Sequence, residues 1–271
     1  MSFKKTRIQL AREAFKRRDL SLHQMAHDPK KIGQEPWHKT EAGRYIGSAV
    51  YGASDGIVTT FAVVAGVAGA QLDPKIVLIM GFANLFADGF SMAVGDYLSE
   101  KSEQDYIKSE REREAWEVDV NPEGEREEIR EIYKRKGLKG EKLEQMVELI
   151  TSDKELWIDT MMKEELGIME DEGSSPLKSA IVTFLSFVIA GFMPLVAYVF
   201  ASLVPFFSQN MFLSASLITA ATLFVVGSLR QMVTGVNWLI GGLEMLLVGG
   251  LSATVAYGIG YLLRTVFNVV I

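Results

Sequence analysis

Five stretches of the chain are almost wholly apolar: about residues 46–70, 75–98, 177–202, 211–232 and 238–265. Each meets the roughly 20 mostly apolar residues that a membrane-spanning helix needs. Only short loops separate the first stretch from the second (Gln71-Leu72-Asp73-Pro74) and the third from the fourth (about 203–210). Residues 99–175 break the pattern, being polar with helical periodicity throughout. No Gly or Pro interrupts Tyr97 to Trp116, so the second span is predicted to run past the membrane through Glu117. Asn121-Pro122 signals a turn and a new start, with Pro at the first helical position. That helix is predicted to stop at Gly137, a third to cover 140–151, and a fourth to run from Ser152 or Asp153 to Gly167. Ser174-Ser175-Pro176 caps the entry to the third span. The expected fold is all-α: a polytopic membrane protein with five transmembrane helices and a small antiparallel helical insertion between the second and third.

Composition supports a mixture of two regimes. The chain is 48% hydrophobic and 23% charged, with positive mean hydropathy. Charge is concentrated in residues 1–45 and 99–175, while 46–98 and 177–271 are nearly free of it. That is not the pattern of one globular domain. The organisation read from it is a basic N-terminal segment (1–45), spans one and two (46–98), the helical insertion (99–175) and spans three to five (176–271). The net charge of −6 averages opposed regions and implies no nucleic-acid partner. Cysteine is absent, which excludes disulfides and thiolate metal sites. The charged first forty residues contain no h-region of a signal peptide.

Lys and Arg set the orientation. Residues 1–45 contain eleven of them and residues 99–178 fourteen. The first loop offers only Lys75, the loop after the third span none, the end of the fourth span Arg230 and the C-terminal end Arg264. The N-terminus and the insertion are therefore expected together on the cytoplasmic side, with the C-terminus on the far side. Residues 3–20 are predicted to form a short basic amphipathic helix that lies against anionic headgroups of the lipid bilayer. His23 and His27 lack further ligands nearby and read as surface residues.

The second span carries Asn84, Asp88, Met92 and Asp96, one every fourth residue, so they form a row that drifts slowly around the helix. The first span holds Asp55. An acid at the bilayer centre costs about 2.5–3.5 kcal/mol on insertion scales. A purely structural role gains little for that cost, so Asp55 and Asp88 are read as path residues that meet water, a partner or a metal. Asn84 is either an interhelical hydrogen-bonding group or a ligand, and Asp96 either an interfacial residue in water or part of the path. Glu244, in the fifth span, lines the same path or sits near the inner surface. Oxygen donors with a thioether, and no Cys or His in the membrane, suit a borderline divalent ion such as Fe²⁺ or Mn²⁺.

The insertion adds two Glu-x-x-Glu pairs, Glu114/Glu117 and Glu125/Glu128, each on one helix face. They flank the Asn121-Pro122 turn, so a hairpin can bring them opposite one another. The fourth insertion helix contributes Met161, Met162 and Glu165. Facing carboxylates repel unless a cation sits among them. Against this, runs such as Glu-Arg-Glu-Arg-Glu are commonly solvated faces with i, i+4 ion pairs, and paired methionines are commonly core.

Two long motifs place these residues in context: Asp55-Gly56-Ile57-Val58-Thr59-Thr60-Phe61-Ala62-Val63-Val64-Ala65-Gly66 and Ala87-Asp88-Gly89-Phe90-Ser91-Met92-Ala93-Val94-Gly95-Asp96-Tyr97-Leu98-Ser99. With Met161-Met162, Glu165-Leu166-Gly167, Gly242-Leu243-Glu244-Met245 and Gly249-Gly250, they resemble the vacuolar iron transporter family over about 46–271. Residues 1–45 add nothing to that match. The resemblance implies a homodimer of five-span subunits that exchanges cytoplasmic Fe²⁺, and often Mn²⁺, for protons along a path at the dimer interface. It implies Asp55 and Met92 as membrane ligands. Asn84 falls where some relatives carry a carboxylate. It also implies Glu114, Glu117, Glu125, Glu128, Met161, Met162 and Glu165 as ligands of a cytoplasmic metal-binding domain.

The expected function is export of Fe²⁺ or Mn²⁺ from the cytoplasm by proton antiport, without a prosthetic group and without enzymatic activity. A plasma membrane is expected for a prokaryotic owner and a vacuole for a eukaryotic one. The rivals are a membrane-anchored di-iron ferroxidase, whose sites normally recruit a His that residues 99–175 lack, and a metal-storage or sensing protein that is merely anchored.

Overall fold

The computed structural model describes residues 7–28, 45–169, 175–229 and 237–267, so Ser174 and Arg230, both used above, lie outside the described residues. It forms two compact units, Met1–Gly47 and Ser48–Ile271. In the first, α1 (Arg7–Arg17) and α2 (Leu20–Ala26) pack on each other and bury Ala14 and Ala26. The basic helix expected to reach residue 20 stops at Arg17. Arg18 takes a left-handed φ of 53°, and the Asp19 side chain accepts the Ser21 and Leu22 amides to start α2. His23 and His27 are exposed, their rings 4.2 Å apart between centroids.

In the second unit every regular element among the described residues is helical. Helix α3 (Ile46–Gly69) is followed by the 47-residue α4 (Pro74–Val120), α5 (Pro122–Arg135), α6 (Glu141–Thr151) and α7 (Lys154–Glu164). Then come α8 (Pro176–Gly191), a 3₁₀ turn (Met193–Leu195), α9 (Val196–Val199), α10 (Pro205–Gln209), α11 (Met211–Leu229) and α12 (Trp238–Phe267). Five helical segments are long and apolar enough to cross a membrane: Ile46–Gly69, Pro74–Val120, Pro176–Val199, Met211–Leu229 and Trp238–Phe267. They match the five apolar stretches of the sequence. The third was expected as one uninterrupted helix. It breaks after Gly191 because Pro194 has no amide hydrogen to continue the ladder, and the chain tightens into the 3₁₀ turn.

Lipid tails do not drive apolar helices together, so close backbone approach must. Gly52 and Gly56 supply it for α3 against α8. A Cβ added at either would stand 2.4 Å from the carbonyl oxygen of Thr183 or Phe187 respectively. Around this seam Phe61, Val64, Val77, Leu85, Phe187, Leu195, Ala197, Tyr198 and Ala215 form a buried cluster. A smaller one joins Ile57, Ala190, Leu223 and Met245. Helix α4 packs along α8, and α11 along α12.

Beyond the apolar half of α4, its distal turns pack with α5, α6 and α7 into a polar helical bundle. Helix α4 reaches Val120, three residues beyond the expected Glu117. Asn121 then caps α5, with Pro122 leading, and Asp153 caps α7 through the Leu156 amide at 2.9 Å. Gly137 (φ 99°) makes the turn after α5. Helix α7 ends at Glu164, before the expected Gly167, which takes φ 69° in the turn that follows. The bundle core comprises Val118, Ile129, Leu143, Val147, Ile150, Trp157, Ile158, Met161 and Met162. Ion pairs lace its surface: Arg111 reaches Glu155 at 2.8 Å and Asp159 at 2.6 Å, and Arg130 reaches Glu144 at 3.0 Å. Exposed pairs of this kind contribute about 0–1 kcal/mol each, so apolar burial holds the bundle.

Candidate metal path and carboxylate cluster

Asp55 precedes Gly56 by one residue on α3, about 100° around the helix, so its side chain points off the glycine seam. It is half-buried and within Coulombic reach of Asp88 on α4, also half-buried. No Lys, Arg or His forms an ion pair with either among the described residues. One turn before Asp88, the Asn84 amide nitrogen is buried without a hydrogen-bond partner. The interhelical bond from that amide, one of its two sequence readings, is not made. Met92, one turn after Asp88, lies half-buried against the apolar cluster of Phe61, Leu85 and Phe187.

A four-residue step on an α-helix advances about 40° beyond a full turn. Two steps past Asp88, the row has rotated by about 80°, and Asp96 meets α8 instead of continuing straight along Asp88's face. The fully buried Thr183 hydroxyl donates to Asp96 at 2.6 Å. One turn further, buried Ser179 donates to Glu100, whose second carboxylate oxygen is buried without a partner. Sequence reasoning missed Glu100, Ser179 and Thr183. The signal was present as matched i, i+4 pairs, Asp96/Glu100 and Ser179/Thr183, on two different spans. Glu244 is exposed on α12, beside the buried Met245.

The glutamates of the polar bundle gather around the α4–α5 turn and the end of α7. Glu114 is 1% exposed, and neither carboxylate oxygen has a hydrogen-bond partner. The Arg113 guanidinium stands 2.7 Å from one of them without hydrogen-bond geometry. Arg113 also reaches Glu117 at 2.5 Å and Glu110 at 3.0 Å. Glu125 is buried across the turn with one oxygen unpartnered. Burial, then the charges of Glu128, Glu114, Glu117 and Glu165, push its pKa up to about 7. Glu165 is likewise pushed up to about 7, by desolvation first and then by Glu128 and Glu114. Five carboxylates thus form one electrostatic cluster. Glu128 and Glu165 are its exposed members. Met161 and Met162, 0% and 2% exposed, sit in the bundle core. Among the described residues no three Asp, Glu or His side chains stand close enough to hold one metal ion. The cluster collects negative charge without closing it into a ligand set.

A cavity of about 470 Å³ lies elsewhere in the membrane bundle, among Phe61, Phe212, Thr219, Leu223 and Tyr257 of α3, α11 and α12. No acid lines it, so its size does not make it the path.

Five spanning-length helices, two of which carry acids within Coulombic reach of each other, define an integral membrane protein. The chain belongs to the VIT family, whose profile matches residues 46–261. It is 35% identical over 266 residues to the vacuolar iron transporter of Toxoplasma gondii, covering 94% of this chain and 88% of that one. The vacuolar iron transporter of Plasmodium falciparum is 32% identical over 265 residues, covering 94% and 95%. Vacuolar iron transporter 1 of Oryza sativa subsp. japonica is 31% identical over 243 residues, covering 90% and 92%. An alignment covering 94% of the chain extends beyond residues 46–271, so the likeness enters the first 45 residues, which the motifs alone did not reveal.

Proposed function

We propose that this protein moves Fe²⁺ out of the cytoplasm across a membrane in exchange for protons, with Mn²⁺ as a second cargo. The observation that carries the reading is the Asp55–Asp88 pair, two half-buried acids within Coulombic reach of each other in apolar helices with no cation paired to either. Family membership and relatives named for iron transport support the choice of cargo. Asp55 and Met92 bind the ion at mid-membrane, and Asp88 and Asn84 line its route. Asp96 and Glu244 are secondary candidates for the same route. Protonation of the path acids from the far side weakens binding there and releases the ion. The polar bundle lies on the cytoplasmic side, where Glu114, Glu117, Glu125, Glu128 and Glu165, with Met161 and Met162, collect metal beside the path. Because the glutamates do not form a closed set, loading draws them together around the ion. The working unit is a homodimer with the path between its subunits.

Metal flux into proteoliposomes under an imposed pH gradient tests the reading. Fe²⁺ uptake that requires the gradient is expected, lost in the Asp55→Ala, Met92→Ala double variant. Unchanged transport by that variant would sink the mid-membrane assignment. Absence of any flux, with metal still bound stoichiometrically, would instead favour an anchored binding protein.

A further inference from the structure

Arg113 lies on the α4 wall of the carboxylate cluster. Its side chain is 41% exposed and touches three carboxylates, those of Glu110, Glu114 and Glu117. Two of these are proposed metal ligands. Glu117 lies one turn ahead on the same helix face, so the guanidinium lies along the first Glu-x-x-Glu pair. A guanidinium stays protonated and brings five donors, and carboxylate oxygens are what it binds best. A divalent ion needs lone pairs of those same oxygens at about 2.0–2.2 Å, and it would bind next to a positive charge already within 2.7 Å of Glu114.

Several ion pairs of the bundle lie within one helix, and this one differs from the rest in its acid, since Glu114 is 1% exposed while their carboxylates are at least partly exposed. Arg111, Arg130 and Lys154 join separate helices through exposed carboxylates. Arg113 stays on its own helix and approaches Glu114, whose two oxygens are buried without a hydrogen bond. A strut would tie elements together, whereas Arg113 only screens carboxylates. Its half-exposed, flexible stem gives it room to leave for solvent without disturbing the core.

We propose that Arg113 is a tethered counter-cation that competes with the metal for Glu114 and Glu117. It screens their repulsion in the metal-free bundle and lowers metal affinity, so that bound ions are handed on and not trapped. The proposal rests on the reading of the cluster as an Fe²⁺ site.

The test is anaerobic Fe²⁺ binding at neutral pH by the full-length protein, in an Asp55→Ala background that silences the proposed mid-membrane site. Adding Arg113→Gln is expected to tighten Fe²⁺ binding about tenfold, with Arg113→Lys closer to the parent. In a Glu117→Gln background the gain should shrink to less than about threefold, because part of the contested site is gone. A merely structural arginine would produce no such coupling. Affinity unchanged or weakened in Arg113→Gln would overturn the proposal. Failure of the underlying reading looks different: Fe²⁺ binding would then survive Glu114→Gln combined with Glu125→Gln, and the Arg113 proposal would fall with it.

Discussion

In the membrane bundle, Asp55 and Asp88 lie within Coulombic reach of each other with no cation paired to either among the described residues. In the polar bundle, Glu114 and Glu117 share Arg113, while Glu125 and Glu165 bind protons more tightly than a solvated carboxylate. The same functional group is handled in two ways because the surroundings differ. Each acid in hydrocarbon costs about 2.5–3.5 kcal/mol, which keeps acids few. In the polar bundle, water and neighbouring cations let five glutamates accumulate, and burial followed by repulsion from the neighbouring carboxylates raises the proton affinity of Glu125 and Glu165. The membrane half therefore holds few acids, and the polar half a dense group of them.

Breaking the packing should hurt the membrane half most. Leucine at Gly56 would drive a side chain into the Phe187 backbone, which cannot rotate away as a side chain can. Gly56→Leu should cost about 3 kcal/mol or more, read as loss of monodisperse protein on gel filtration. The polar bundle should retain its fold in the same variant.

A pH titration should sharpen the contrast through the polar half. Glu125 and Glu165 hold their protons up to about pH 7 in the folded state and release them near the ordinary carboxylate value when unfolded. The folded state therefore binds more protons between these limits, and stability falls as pH rises through that window. Without metal, the bundle's thermal midpoint should be higher at pH 5 than at pH 8. Under the proposed function Fe²⁺ displaces those protons, so its binding should strengthen over the same rise. A midpoint that rises with pH would contradict the cluster.

The smallest effect is expected at the junction of the halves. Thr183→Val removes the donor to Asp96 and should cost about 1 kcal/mol. Hydrogen bonds to charged groups reach about 1.5–3 kcal/mol in water, but those within membranes average nearer 0.6. Chemical unfolding in detergent would measure it. A loss as large as that in Gly56→Leu would mean that the Asp96–Thr183 contact, and not glycine packing, holds α8 in place.

Much of this was legible in the residues. Hydrophobic length marked the five spans, and Asn121-Pro122 marked the start of α5, because both signals act locally. Asp55 and Asp88 stood out because acids in apolar helices need a reason. The end of α1 at Arg17 was not legible, since it depends on one left-handed residue, Arg18. The break at Pro194 was legible in principle but was lost inside a hydropathic stretch.

The sequence by itself determined most of the long helices, which stretches are long and apolar enough to cross a membrane, the family, and which glutamates share a helix face. Composition and the 3.6-residue period suffice for the helices and faces, and the long motifs beginning at Asp55 and Ala87 for the family. Tertiary structure alone decided that Asp55 comes within Coulombic reach of Asp88, that Asp96 and Glu100 turn onto α8, that Met161 and Met162 enter a core and that Glu114 is buried beside Arg113. In the membrane half these depend on helix separations set by close approach at Gly52 and Gly56 and on the small rotation of each four-residue step, and in the polar half on the burial of one helix face against another, which no single segment encodes.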